Sequence, residues 1–252
     1  MDKKQIADAA ALLVAARRSG ELLDGLPPAL QPKSVAEAHA VQDAVTKILG
    51  ERGGGWKANA PPEGEVQRGR LFARLIFASP ARIPARIVPL LGVEAEIAFR
   101  FTADLPPRAA AYGREEVAGS VTAFPAIEVV DSRYRDFNAR SSLERLADHG
   151  LNGAFVAGAE ARDWRRLDLT CLQLTLSIGG RTIVERTGGH PTGDPLGTAV
   201  AFVNAMRAMG GVHQGELVTT GSCSGMNFAK PGERVVASFA GLGDAEVTFV
   251  AG

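Results

Sequence analysis

The chain has 252 residues, 46% of them apolar, which is enough for one large domain with its own core, or for a main domain with a small appendage. Lys plus Arg and Asp plus Glu number 28 each, so no net field draws the chain toward nucleic acid or an anionic membrane. No apolar run approaches the ~20 residues that cross a bilayer, and the charged, amphipathic N-terminus does not fit a signal peptide, so we expect a cytoplasmic protein.

The first part of the chain is predicted to be helical. Apolar residues recur at helical spacing from Ile6 to Ala16, which predicts an amphipathic helix. Ser34 and Glu37 form a capping-box pattern at the start of a second helix, and we expect that helix to end near the three glycines at 53–55. Residues 1–80 are therefore assigned to a helical N-terminal region.

From residue 81 onward the pattern indicates strands. Apolar and polar residues alternate from Val93 to Phe101 with a period of two, and similar runs recur toward the C-terminus. One helix interrupts the strands, with Asp194 as its N-cap and Pro195 as its first residue. Helices followed by many strands predict an α+β fold with a mixed, rolled β-sheet, and residues 81–252 are assigned to this sheet domain.

Carboxylates in two predicted strands are the first candidate site. Glu94 and Glu96 point to the same face of one strand, where like charges need solvent, a counter-charge or a metal ion. Glu128 and Asp131 lie in an apolar run, where a buried carboxylate is costly unless it is paired or metal-bound. Two alternatives to a metal site remain open. Glu94 and Glu96 would lie on a solvent-exposed polar face, and Asp131 would form a salt bridge with a nearby arginine. Carboxylates without His or Cys companions suit a hard cation such as Mg²⁺ or Mn²⁺.

Two further segments carry polar groups that chemistry could use. Lys57 follows three glycines and Trp56, a setting in which partial desolvation would lower the pKa of the lysine toward the range useful in acid–base catalysis. A surface lysine at a helix end is the alternative. Thr220, Gly221 and Ser222 lie in a small-residue loop that could bind a carboxylate or phosphate, although a plain turn fits as well. The loop lacks the lysine of a nucleotide-binding P-loop.

In their order along the chain, these segments resemble the 2-keto-4-pentenoate hydratases and 4-oxalocrotonate decarboxylases of the fumarylacetoacetate hydrolase superfamily. The segments that carry the resemblance are 55–57, 92–99, 125–133, 147–158, 220–222 and 231–249. The resemblance implies a rolled sheet of the fumarylacetoacetate hydrolase C-terminal type and a homo-oligomer, dimeric or larger. It also implies a Mg²⁺ or Mn²⁺ site formed by Glu94, Glu96 and Glu128. Lys57 falls on the family's catalytic lysine, and Ser222, flanked by Thr220 and Gly221, on a substrate-contacting serine.

The implied activity is that of a hydro-lyase in aromatic-compound catabolism. Such an enzyme adds water to a 2-hydroxy-2,4-dienoate, the enol form of a 2-oxo-4-enoate, and yields a 4-hydroxy-2-oxo acid. A 2-oxo dioic acid decarboxylase or a C–C hydrolase of the same superfamily remains open. So does a non-catalytic partner subunit, because the acid that the hydratases carry in a second loop has no counterpart in residues 67–72, which are basic.

Overall fold

A computed structural model describes residues 1–251 of the chain. Within this range the α-helices are α1 (Lys3–Ser19), α2 (Val35–Leu49), α3 (Arg114–Gly119), α4 (Ser142–Ala147) and α5 (Pro195–Met206). The strands are β1 (Gly53–Asn59), β2 (Gln67–Phe72), β3 (Ile76–Ala78), β4 (Ala81–Pro84), β5 (Gly92–Phe101), β6 (Val121–Val130), β7 (Asn152–Ala157), β8 (Gln173–Ile178), β9 (Arg181–Thr187), β10 (Leu217–Ser222), β11 (Asn227–Phe228), β12 (Arg234–Phe239) and β13 (Gly243–Val250). None of these helices is long and apolar enough to cross a membrane.

The two N-terminal helices begin at side-chain caps. The Asp2 carboxylate accepts a hydrogen bond from the Gln5 N–H at 2.8 Å, and the Ser34 hydroxyl accepts one from the Glu37 N–H at 3.2 Å. Helix α2 ends at Leu49, earlier than predicted, because Gly50 adopts the left-handed conformation that closes a helix. The three glycines at 53–55 instead open β1. Helices α1, α2 and α4 pack around a small core of their own.

The strands form two sheets. The larger sheet has the order β2-β1-β10-β5-β6-β7-β3, with β11 paired to β5, and the smaller has the order β4-β13-β12-β8-β9. Most neighbours are antiparallel, but three pairs are parallel: β1 with β10, β3 with β7, and β4 with β13. The mixed, curled sheet together with the helices confirms the predicted α+β class. The division of the chain at residues 80 and 81 stays a prediction, and strands β1 to β3 lie before it in the larger sheet.

The alternation in β5 divides its side chains between two environments. Val93, Ala95, Ile97 and Phe99 are buried in the main core, where each large apolar side chain contributes roughly 1.5–3 kcal/mol. Ala98, on the other face, belongs to a separate small cluster with Phe124 and Ala126 of β6. Glu94 and Glu96 share this second face, because residues two apart on a strand point the same way. Both glutamates therefore lie on the face of the sheet that points away from the main core.

Candidate metal and substrate site

Three glutamates from two neighbouring strands meet at one point. The antiparallel register of β5 and β6 sets Glu94 directly opposite Glu128, and Glu96 lies two residues farther along the same face. One carboxylate oxygen from each side chain lies within 4.8 Å of the other two. Glu96 and Glu128 are 0% exposed, whereas Glu94 is half-buried. The structure thus brings together the three residues that the family resemblance implies as metal ligands. For Glu96 it also rules out the alternative of a solvent-exposed polar face.

Burial and mutual repulsion act on the protonation of this cluster. Burial, with the neighbouring charge of Glu128, raises the pKa of Glu96 to about 8. Burial also raises the pKa of Glu94, while the charge of Lys57 opposes that rise. Three carboxylates in so small a space require positive charge beyond the single lysine if all are to stay ionised near neutral pH.

The donors around the cluster leave room for a cation. One oxygen of Glu96 accepts hydrogen bonds from the Thr219 hydroxyl and, at 3.1 Å, from the Gly221 N–H. The other oxygen, Oε1, is buried and has no hydrogen-bond partner within residues 1–251. Glu128 Oε1 accepts a hydrogen bond from Asn152 Nδ2 at 3.0 Å. A buried acceptor without a partner, in a group made of carboxylates alone, fits a hard divalent cation.

Lys57 reaches the cluster from β1. Its Nζ lies 2.7 Å from Glu128 Oε2 and donates a hydrogen bond to the Gly150 carbonyl at 3.0 Å. Burial alone would lower the pKa of Lys57, as expected from the sequence, but the charges of Glu128, Glu94 and Glu96 outweigh it. The pKa of Lys57 therefore lies above its ordinary value. Lys57 is thus a half-buried cation paired with a buried carboxylate, and not a surface lysine.

Two glycines leave space for the Lys57 side chain. A Cβ atom at Gly150, whose φ is 62°, would lie 3.1 Å from Lys57 Cδ. A Cβ atom at Gly69 would lie 2.6 Å from the His149 carbonyl oxygen, in the segment that contains Gly150. The path of the lysine toward the glutamates therefore depends on the absence of side chains at these positions.

Residues 220–222 do not form the predicted loop or turn. They are the last residues of strand β10, and they support the cluster from there. The Thr220 hydroxyl donates to the Ile97 carbonyl at 2.8 Å, and the Gly221 N–H donates to Glu96. The buried Ser222 hydroxyl lies near Glu94 and opposes the rise of its pKa. Thr220 and Gly221 thus tie β10 to β5, and their role in substrate binding, like that of Ser222, stays a prediction.

Asp131 belongs to a different network. Its Oδ2 lies 3.4 Å from Arg133 Nη1, and its Oδ1 accepts a hydrogen bond from the Leu90 N–H at 3.1 Å. Arg133 also contacts Asp148 at 2.6 Å, and Arg17 of α1 lies 3.2 Å from the same carboxylate. These buried ion pairs join α1 to the end of β6, and they settle the sequence alternatives for Asp131 in favour of an arginine.

The basic stretch at 67–72 is neutralised from elsewhere. Arg68 makes two hydrogen bonds of 3.0 and 2.8 Å to Asp43 of α2, and Arg70 lies 2.9 Å from Glu216. Both guanidinium groups stack on Trp56. The acids that face this stretch therefore come from distant parts of the sequence, which no local motif could reveal.

A cleft of about 370 Å³ opens onto the cluster. Six of the residues that line it are Lys57, Gln67, Glu94, Arg145, Gly150 and Met226. A larger hollow of about 700 Å³ lies between residues 161–167 and 238–244 and contains none of the clustered glutamates. Sequence reasoning missed Asn152 and Thr219 as partners of the glutamates, because only the pairing of β6 with β7 and of β10 with β5 brings them there.

Comparison with known proteins places the chain in a family. The model of the fumarylacetoacetate (FAA) hydrolase C-terminal family matches residues 65–250. A 2-keto-4-pentenoate hydratase of Burkholderia vietnamiensis is 30% identical over 98% of both chains. One of Paraburkholderia xenovorans is 29% identical over 99% of this chain and 96% of its own. The solved 4-oxalocrotonate decarboxylase from Pseudomonas putida G7, complexed with magnesium and adipate, superposes with a TM-score of 0.86 at 19% identity and covers 99% of each chain.

The family model covers most of the chain, and the hydratase of Burkholderia vietnamiensis aligns along nearly all of it. The matched range contains all three clustered glutamates and residues 220–222 at the end of β10. The likeness to the decarboxylase structure agrees with the rolled sheet. The chain therefore belongs to the fumarylacetoacetate hydrolase family, alongside the 2-keto-4-pentenoate hydratases, as the order of its motifs predicted.

Proposed function

We propose that the chain is a metal-dependent hydro-lyase that hydrates a 2-hydroxy-2,4-dienoate to a 4-hydroxy-2-oxo acid in aromatic-compound catabolism. The observation that carries the proposal is the convergence of Glu94, Glu96 and Glu128 within 4.8 Å, beside a cleft that also contains Lys57. The hydratases that align over nearly the whole chain support the reaction type.

Glu94, Glu96 and Glu128 would hold Mg²⁺ or Mn²⁺. When bound, such a cation supplies Lewis-acid stabilisation for the negative charge that develops on a 2-oxo oxygen. The partnerless Oε1 of Glu96 and the all-oxygen donor set support this assignment. It is further supported by the related decarboxylase structures, one complexed with magnesium and one with calcium.

Lys57 would move the proton. In the proposed sequence the 2-hydroxyl of the dienoate loses its proton and carbon 5 gains one, which gives a 2-oxo-3-enoate. Water then adds across carbons 3 and 4, with the hydroxyl on carbon 4 and the hydrogen on carbon 3. Lys57 Nζ, anchored on Glu128 and the Gly150 carbonyl, is the proton-carrying group at the cleft and would exchange the proton between oxygen and carbon. Thr219 and Asn152 would keep Glu96 and Glu128 in position.

The test is turnover of 2-hydroxypenta-2,4-dienoate by the purified full chain with Mg²⁺ or Mn²⁺. Loss of dienol absorbance and formation of 4-hydroxy-2-oxopentanoate are the expected results. Glu96→Gln and Glu128→Gln should each remove metal binding in calorimetry and lower turnover by about 100-fold or more, since each removes a charged ligand. Glu246→Gln, on an exposed ion pair with Arg234, is the matched control and should change neither.

Retention of both metal binding and turnover in the two glutamine variants would end the proposal. A CO₂ product would instead assign the decarboxylase alternative, and two organic fragments would assign the C–C hydrolase. Turnover by the purified chain alone would exclude a non-catalytic partner subunit. The expected dimer or larger homo-oligomer is part of the proposal, and light scattering in solution would test it.

A further inference from the structure

One cation in the cleft has no partner. Three basic side chains line the cleft: Lys57, Arg68 and Arg145. Lys57 is paired with Glu128, and Arg68 with Asp43 through two hydrogen bonds. Arg145 is half-buried, and its guanidinium has no salt bridge or hydrogen bond within residues 1–251. A guanidinium needs an anion or water for its five donors, so this residue is available to a ligand.

The backbone at Arg145 is held in place by the cap and the packing of its helix. It lies in the short helix α4, whose cap is the reciprocal pair of hydrogen bonds between Ser141 and Glu144. The Glu144 carboxylate is buried and also accepts a hydrogen bond from the Leu26 N–H at 3.2 Å. The following residue, Leu146, is buried in the N-terminal helical core and lines the same cleft. Arg145 is therefore presented from a fixed backbone, which reduces the entropy lost when it orders on a ligand.

Arg145 reaches the cleft from a different wall than the glutamates. Helix α4 packs against α2 and β2, whereas the glutamates project from β5 and β6. The pKa of Glu94 responds to burial and to the charges of Lys57 and Glu128. The cleft thus has an acidic wall with Lys57 and a separate wall that carries an unpaired arginine and the amide of Gln67.

We infer that the substrate carries a second carboxylate at the end remote from its 2-oxo acid group, and that Arg145 binds this carboxylate. The inference rests on the proposed function and names the substrate class within it: a 2-hydroxy-2,4-dienedioate. A dienoate with one carboxylate ends in uncharged carbon and gives an arginine nothing to bind. A carboxylate matches the planar guanidinium through two parallel hydrogen bonds. A cleft of about 370 Å³, the liquid volume of roughly a dozen waters, admits either compound, so charge decides between them.

The test compares two substrates and two ligands on the metal-loaded full chain. The substrates are 2-hydroxyhexa-2,4-dienedioate and 2-hydroxypenta-2,4-dienoate, and the ligands for calorimetry are hexanedioate and pentanoate. The variants are Arg145→Gln and Arg145→Lys, with Arg162→Gln as a control that removes an equal charge from an exposed site outside the cleft. Because the Arg145 guanidinium makes no hydrogen bond or salt bridge within residues 1–251, its variants should unfold at nearly the same temperature as the wild type.

The wild type should prefer the diacid in kcat/KM and bind hexanedioate more tightly than pentanoate. Arg145→Gln should weaken both diacid measurements by about 10- to 100-fold and change the monoacid by less than about three-fold. Arg145→Lys should recover part of the loss, and Arg162→Gln should change neither compound.

Equal losses for diacid and monoacid in Arg145→Gln, or a wild type that prefers the monoacid, would overturn the inference and leave the proposed function in place. A selective loss of hexanedioate binding without turnover of either substrate would support the inference and refute the proposed function. The calorimetric comparison of hexanedioate and pentanoate therefore decides the role of Arg145 independently of catalysis.

Discussion

Gly150 offers a way to displace Lys57 without removing its charge. Gly150 adopts φ 62°, and its carbonyl accepts the hydrogen bond from Lys57 Nζ. In Gly150→Ala the new Cβ atom would lie 3.1 Å from Lys57 Cδ, 3.5 Å from Cε and 3.7 Å from Nζ. The first distance is shorter than ordinary carbon–carbon contact of about 3.5–4.0 Å. The lysine must therefore shift by a few tenths of an ångström or more.

Two separate effects follow from this substitution. An alanine in the left-handed region costs roughly 1–2 kcal/mol relative to glycine, which should lower the melting temperature by about 2–8 °C in a chain of this size. If Lys57 carries the proton, its displacement should also lower kcat, because a misplacement of about 1 Å can cost about 100-fold. We expect a loss in kcat of about 10- to 100-fold.

Gly180 supplies the matched control. It has φ 79° in the turn between β8 and β9, and a Cβ atom there would meet nothing within 4 Å. Gly180→Ala should therefore show the same loss of stability in urea denaturation and retain full kcat. The reasoning is refuted if Gly150→Ala keeps wild-type kcat, or if both variants lose activity to the same degree.

Two other perturbations test the support of the cluster and the acid response of the fold. Asn152→Ala removes the donor to Glu128 Oε1 and should weaken Mg²⁺ binding by about 10- to 100-fold in calorimetry. His39 accepts a hydrogen bond from the Arg68 N–H at 3.0 Å, and burial, with the nearby charge of Arg68, lowers its pKa to about 4. Between pH 6.5 and 4 the unfolded chain therefore binds a proton that the folded chain does not. The free energy of unfolding should fall as pH drops through this window, by at most about 1.4 kcal/mol per pH unit.

Each of these tests has its own control. Asn138→Ala, at an exposed position, should leave Mg²⁺ affinity unchanged, and an equal loss in both asparagine variants would contradict the assigned role of Asn152. His39→Gln keeps an acceptor for the Arg68 N–H and removes the titration, so its free energy of unfolding should depend less steeply on pH below 6.5. His149, whose pKa is also lowered by burial, remains in both proteins and contributes equally. Identical slopes for wild type and variant would contradict the assignment to His39.

Local patterns in the sequence determined a good part of the molecule. The capping residues Asp194 and Ser34 predict the starts of α5 and α2, and the period-two alternation predicts strand β5. These features can be predicted because capping hydrogen bonds and side-chain directions involve only residues a few positions apart. The same run places Glu94 and Glu96 on one face. The end of α2 was misplaced because several glycines follow it and only the backbone angle of Gly50 selects the stop.

Tertiary structure decided what surrounds the glutamates. The register of β5 on β6 sets Glu128 against Glu94, and the pairing of β1 with β10 brings Lys57 into the same neighbourhood. Register depends on packing between residues far apart in sequence, which no local motif encodes. The pKa of Lys57 is raised by charges that the fold brings close to it. Whether Arg145 has a partner likewise depends on which charges lie near it in space. Neither can be read from the sequence alone, because the residues involved are far apart along the chain.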